Sequence, residues 1–255
     1  MEDHPDSLGH ILRVSALLRA LERSDEALSL DQAALGRLAA ASPKAAFADQ
    51  DKWAYAARLQ VALTLAELGR VDEAIAVLGG GEPPSSGGAR GAQAVDHAGL
   101  LITAGHPAEA LQELASPLFD QEAPMANPFQ LAYVHAYRGC ADALLGRTAA
   151  LSGELDYLAA HRNDSEDAGL VALLCADKQD AFAAEVVARL ADPNVRDDML
   201  LWLCESDIPP HFPPFEKMMN ARLATIRARP DVQAAVAKVG HVERFHLSAS
   251  VFVPF

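Results

Sequence analysis

The chain carries nine histidines, and imidazole is the side chain most often used to hold a metal or move a proton near neutral pH. His241 and His246 stand five apart beside Glu243, and His211 lies in the proline-rich stretch DIPPHFPPF (207–215). Zinc needs three or four ligands converging at roughly 2.0–2.3 Å. The spacing supplies two, so no metal site is expected. His97 follows Asp96, and His135 stands two before Tyr137. Both histidines fall in helical segments, where a partly buried, hydrogen-bonded ring is a simpler reading than a catalytic base. The adjacent carboxylates Asp197–Asp198 and Glu166–Asp167 fall where helices should start, and negative charge there complements the helix dipole. GGGEPPSSGG (79–88) lacks both the preceding strand and the lysine of a phosphate-binding loop. G-x-S-x-G and C-x-x-C are absent from the sequence. Nothing specifies a reaction, and the expectation is a non-enzyme without a cofactor.

The elements that would position such residues are helical. Apolar residues make up 51% of the 255-residue chain and aromatics only 6%, so helices can pack closely through alanine. Ala and Leu dominate, with Glu and Arg common, and alternating apolar/polar runs of strand length are almost missing. The class is all-α. The formal charge of −14 repels a phosphate backbone, so nucleic acid is not an expected partner. The richest basic stretch, RLATIRAR (222–229), reads as a solvated helix face. Cys140, Cys175 and Cys204 lie far apart in apolar segments, and an odd count argues against a disulfide framework. A single bridge is the alternative to a reducing compartment. No segment is apolar for the roughly 18 residues of a membrane span, so no membrane insertion is expected. The opening MEDHPDSLGH lacks the regions of a signal peptide. A cytoplasmic location is expected, short of a removed leader upstream of Met1.

Helical periodicity begins near Ser7, with Ile11, Val14, Leu17, Leu18 and Leu21 on one stripe. Ser24 reads as the N-cap of a second helix to about Ala40, and Ser42–Pro43 starts a third, with a break near 49–51, that ends at Gly69. A short return helix spans 71–78. The Gly/Pro/Ser-rich stretch 79–91 reads as a loop. Further pairs are expected at about 91–104 with 107–116, 127–145 with 148–160, and 165–176 with 179–191. A helix over 214–228 and a short one after Pro230 follow. The end, HLSASVFVPF, alternates like a strand with no evident partner.

The pairs repeat one another. LAELGRVDEAIAVL (65–78) returns thirty-six positions later as LITAGHPAEALQEL (101–114). Such a hairpin cannot bury its apolar face alone but can do so stacked on copies of itself. ELGRVDEAI (67–75) and TAGHPAEAL (103–111) resemble the turn of the tetratricopeptide repeat. The resemblance covers 55–116 clearly, 127–160 more loosely, and 7–40 and 165–191 loosely. The interval of 36 exceeds the family's usual 34, Leu151 stands where a small residue is expected, and Asp142 stands where an apolar one is.

What the resemblance implies is an α-solenoid, a right-handed superhelix over 1–192, with capping helices and a tail over 193–255. Its concave side would receive a peptide or helix of another protein. The concave residues implied are Ala56, Leu59, Leu63, Ala66 and Glu67, then Ala92, Val95, Gly99, Ile102 and Thr103, then Tyr133, Ala136, Cys140, Ala143 and Leu144. That groove is apolar and has no lysine–asparagine clamp for a terminal carboxylate. The resemblance therefore implies a protein-binding scaffold or regulatory module of bacterial style. Three alternatives stand beside it. The chain's own C-terminal segment can cover the groove; the histidine-bearing C-terminal region can form a ligand, metal or catalytic pocket; or the solenoid can self-associate as a homo-oligomer.

Overall fold

A computed structural model describes residues 7–40, 46–80, 87–119, 127–209 and 211–248. Among them are thirteen α-helices and two short strands, so the fold is all-α. The helices are α1 (Leu8–Ala20), α2 (Ser24–Ala40), α3 (Gln50–Glu67), α4 (Val71–Gly79), α5 (Gly87–Thr103), α6 (Pro107–Leu114), α7 (Pro128–Leu144), α8 (Thr148–Ala160), α9 (Ala168–Cys175), α10 (Gln179–Ala191), α11 (Arg196–Leu203), α12 (Pro214–Arg227) and α13 (Pro230–Val239). Helices α1 to α10 form five consecutive hairpins, and each hairpin packs on the next through its first helix.

One turn design serves all five. The residues at Glu22, Gly69, Gly105, Gly146 and Asp177 have φ of 58, 76, 87, 70 and 53°. In each turn the following amide reaches back five residues: Arg23 to Leu18, Arg70 to Leu65, His106 to Leu101, Arg147 to Asp142 and Lys178 to Leu173, at 2.8–2.9 Å. This is the Schellman closure of a helix C-terminus. In four of the five turns the residue after the left-handed position is Arg or Lys (Arg23, Arg70, Arg147 and Lys178), which places a cation at the negative end of the finished helix; His106 holds the fifth place. Arg23 and Arg70 then pair with Glu26 and Glu73 three residues on.

Substituted small residues keep the hairpins close. Leu151 is buried where the repeat resemblance implies a small residue, and Gly139 on the facing helix makes room. A Cβ added at Gly139 would stand 3.3 Å from Glu154 Cβ and 3.6 Å from Leu151 Cδ1. The small residue has moved to the opposite helix.

Several expectations need correction. The buried face of α1 is Leu8, Gly9, Leu12 and Ser15, while Val14, Leu17 and Leu21 are 49, 65 and 64% exposed. The polar and small positions win because Ser15 donates to Asp31 of α2 at 2.5 Å, and Gly9 lies where a Cβ would meet Trp53 at 2.7 Å. Residues 87–90, expected in a loop, are helical and begin α5. Asp49 is the N-cap of α3 at the expected break and also accepts from the amides of Leu8 and Gly9 at 2.7 and 3.2 Å. Ser42–Pro43, 81–86 and the tail from 249 onward lie outside the described residues.

Cys140 and Cys175 form a disulfide between α7 and α9, leaving Cys204 as the free thiol. The odd count hid a bridged pair, and the cysteines no longer support a reducing compartment. The C-terminal strand also has a partner: Arg244–Ser248 (β2) runs parallel to Glu205–Asp207 (β1), pairing Glu205 with Arg244 and Ser206 with Phe245. The arginines of 222–229 are not a solvated face. Arg222 donates to backbone carbonyls of α9, Arg227 to the Cys204 carbonyl at 2.7 Å, and Arg229 pairs with Asp180 and Asp231. Helix C-termini present unpaired carbonyls, and guanidinium forks meet that need elsewhere too: Arg58 on Gly80, Arg138 on Leu114 and Arg196 on Leu190. Among the described residues no helix is long and apolar enough to cross a membrane.

Candidate functional site

The implied groove residues fall into two groups. Val95, Ile102, Thr103, Tyr133, Ala136 and Cys140 are buried, with exposures of 5% or less. Their cover comes from the chain itself. Helix α12 packs against α5 and α9, and its Phe215, Met219, Leu223 and Ile226 share one buried cluster with Val95, Ile102, Tyr133, Ala136 and Cys140. Helix α12 therefore packs on the later hairpins, and its apolar side chains join the cluster that buries these implied groove residues. Leu144, at the far end of α7, is 38% exposed.

Polar groups pin this packing. Arg222 of α12 closes the end of α9, Glu216 is 3% exposed, and its charge, with that of Asp96, adds to burial in raising the Tyr137 hydroxyl far above its ordinary range. Asp96 accepts a hydrogen bond from Tyr55, joining α3 to α5, and burial pushes its carboxyl up to about 6. These groups knit helices together, and none of them lines either of the two cavities described below.

The second group, on α3, lies nearer the surface. Leu63 is buried at 7% exposure, whereas Ala56, Leu59, Ala66 and Glu67 are half-buried. Glu67 pairs with Arg19 of α1. Beyond it opens a cleft of about 680 Å³ between the α1–α2 turn, the end of α3 and the segment after β1. Glu22, Asp25, Glu26, Glu67 and Asp207 line it together with Arg23, and Leu68, Ile208 and Pro209 give it an apolar wall. Gly69 admits the third wall: a Cβ there would stand 2.5 Å from the His211 carbonyl oxygen. Ile208 is 47% exposed.

The histidines do not converge. His211 lines this cleft and His241 a different one, where its Nε2 lies 2.8 Å from Glu243. His246 is a β2 residue whose side chain is outside the described set. Among the described residues no three His, Cys, Asp or Glu side chains gather as a metal site. His97 pairs with Glu113 at 3.3 Å and His135 with Glu154 at 2.5 Å; the His135 ring also stacks on Tyr157 at 3.5 Å. Both histidines link a hairpin's two helices, as expected of structural rings. Asp197 and Asp198 open α11, and Asp167 is the N-cap residue of α9.

Sequence reasoning did not find the cleft. Its walls come from residues 22–26, 67–68, and 207–209 with 211, three stretches far apart in sequence. No family model, curated protein or solved structure matches the chain.

Proposed function

We propose that the chain is a tetratricopeptide-like interaction module, a scaffold or regulatory protein that takes a partner's segment at the N-terminal end of its concave side. The carrying observation is the acidic cleft: five carboxylates and one arginine surround an open space beside the exposed Ile208. With α12 packed against α5 and α9, this open cleft is the place we assign to the partner. A segment bearing Lys or Arg with one apolar anchor complements this lining. Asp25 and the side chain of Ile208 are exposed, so they can be changed without touching the core.

The test is affinity capture from native-host lysate, comparing wild type, Asp25→Lys/Ile208→Asp, and a distant control, Phe129→Asp, whose site is 54% exposed. A partner kept by the control, lost by the double variant and weakened by salt supports the cleft. Identical capture by all three proteins removes it as the binding site.

A further inference from the structure

A second cavity, of about 350 Å³, lies where α11, β1, α12 and α13 meet the 240–242 segment. Leu203, Val232, Val236 and Val242 make its wall apolar, and Arg227 is part of the lining. A guanidinium has five N–H donors. Among the described residues Arg227 makes one hydrogen bond, from Nη2 to the Cys204 carbonyl at 2.7 Å. Its Nε is enclosed and has no acceptor among the described residues, and none of their carboxylates forms an ion pair with it. Burial lowers its pKa, partly opposed by Glu205. The enclosed Nε is out of reach of a molecule in the cavity, but Arg227 is a half-buried cation in the lining with no carboxylate partner among the described residues, and its remaining Nη donors are the ones an anion would take.

The other charges limit which anion. Glu205 lies in the lining, half exposed, and is held 3.8 Å from Arg244. His241 is turned to Glu243. One carboxylate in the lining tolerates a singly charged ligand and repels a phosphate dianion. The volume is at the small end of the range for small-molecule sites.

We propose that this cavity binds a small monocarboxylic acid with a compact apolar body, its carboxylate on Arg227 and its hydrocarbon against Leu203 and the three valines. This site stands apart from the acidic cleft, and its ligand does not depend on what the cleft binds.

The probe is sodium hexanoate, titrated into full-length protein with 13C-labelled valine methyls, with hexylamine and hexanol as controls. The expected result is a saturable shift of the Val232, Val236 and Val242 methyls with hexanoate and none with hexylamine. Arg227→Gln keeps a donor for the Cys204 carbonyl and should weaken hexanoate by roughly tenfold or more, the effect of losing one charged hydrogen bond. Ala237 is exposed, so Ala237→Phe blocks the opening from outside the core and should abolish the shifts at unchanged thermal stability. No saturable shift in wild type, equal hexanoate binding by Arg227→Gln or by Ala237→Phe, or hexanol binding as tightly as hexanoate would each overturn the proposal.

Discussion

Arg222, midway along α12, donates from Nη1 to the carbonyls of Leu174 and Cys175 at 3.1 and 2.5 Å, the last two residues of α9. One side chain thus closes the end of α9 and ties α12 to it. Cys175 is in turn bonded to Cys140 of α7, so α7, α9 and α12 meet at one point. Charged hydrogen bonds contribute about 1.5–3 kcal/mol when buried, and Arg222 is 22% exposed. Arg222→Ala should therefore cost about 1–2 kcal/mol, lowering Tm by roughly 2–8 °C at this chain length. Met219→Ala, at 0% exposure, should cost about 2–5 kcal/mol. Calorimetry that finds both variants as stable as wild type would show that α12 does not hold the later hairpins.

The five turns predict a ranking. Alanine pays roughly 1–2 kcal/mol in the left-handed region, so Gly105→Ala and Gly146→Ala should each lose about that much, since neither has an atom within 4 Å of an added Cβ. Gly69→Ala meets the same strain plus the His211 carbonyl at 2.5 Å, and it should be the worst of the three. Urea titrations that place all three together would mean the 207–213 segment yields freely.

That ranking marks what the sequence disclosed. Three of the turns were legible as glycines, because only glycine announces a positive φ. Asp177 and Glu22 adopt the same conformation through residues that carry no such signal, their hairpins being fixed by packing. The helix pairs were legible because hydrophobic period and caps are local. Cover by the chain's own C-terminal segment stood only as an alternative, because Met219 and Ile102 lie far apart in sequence and no spacing rule joins them. The exposed stripe of α1 was misread because Ser15 and Gly9 look like surface residues until Asp31 and Trp53 are placed against them. The cleft, built from three distant segments, left no trace in any one of them.

Leu151 and Gly139 should be energetically coupled. Leu151→Ala alone leaves a cavity costing about 2–5 kcal/mol, and Gly139→Ala alone crowds Leu151 and Glu154. Together, the methyl added at 139 faces space vacated at 151, so the double variant should be less destabilised than the two singles summed, by about 0.5–3 kcal/mol. Strict additivity in a double-mutant cycle would separate the two positions.

The bridge between Cys140 and Cys175 predicts a thiol count. Native and denatured protein kept unreduced should each take one alkyl group, at Cys204, and protein denatured with reductant should take three, by intact-mass spectrometry. The bond closes a separation of 35 residues, so Cys140→Ser/Cys175→Ser should lose about 3–4 kcal/mol on the chain-entropy account. Three labels without reductant would refute the bridge.

Asp96 predicts how stability depends on pH. Burial raises its carboxyl to about 6 in the folded chain, from an ordinary value of 3.8, despite the hydrogen bond from Tyr55. The folded state therefore holds a proton that the unfolded state has released between those two values. Its contribution is favourable below about pH 4 and is lost as pH rises through 6, an amount on the order of 3 kcal/mol. Asp96→Asn keeps an acceptor for the Tyr55 hydroxyl and removes the titration. The wild-type stability curve should fall between pH 4 and 6 relative to that of the variant, and the gap should be constant above pH 7. Parallel curves for the two proteins across pH 4 to 7 would mean that Asp96 is ionised in the fold as readily as in water, and that the α3–α5 contact is open to solvent.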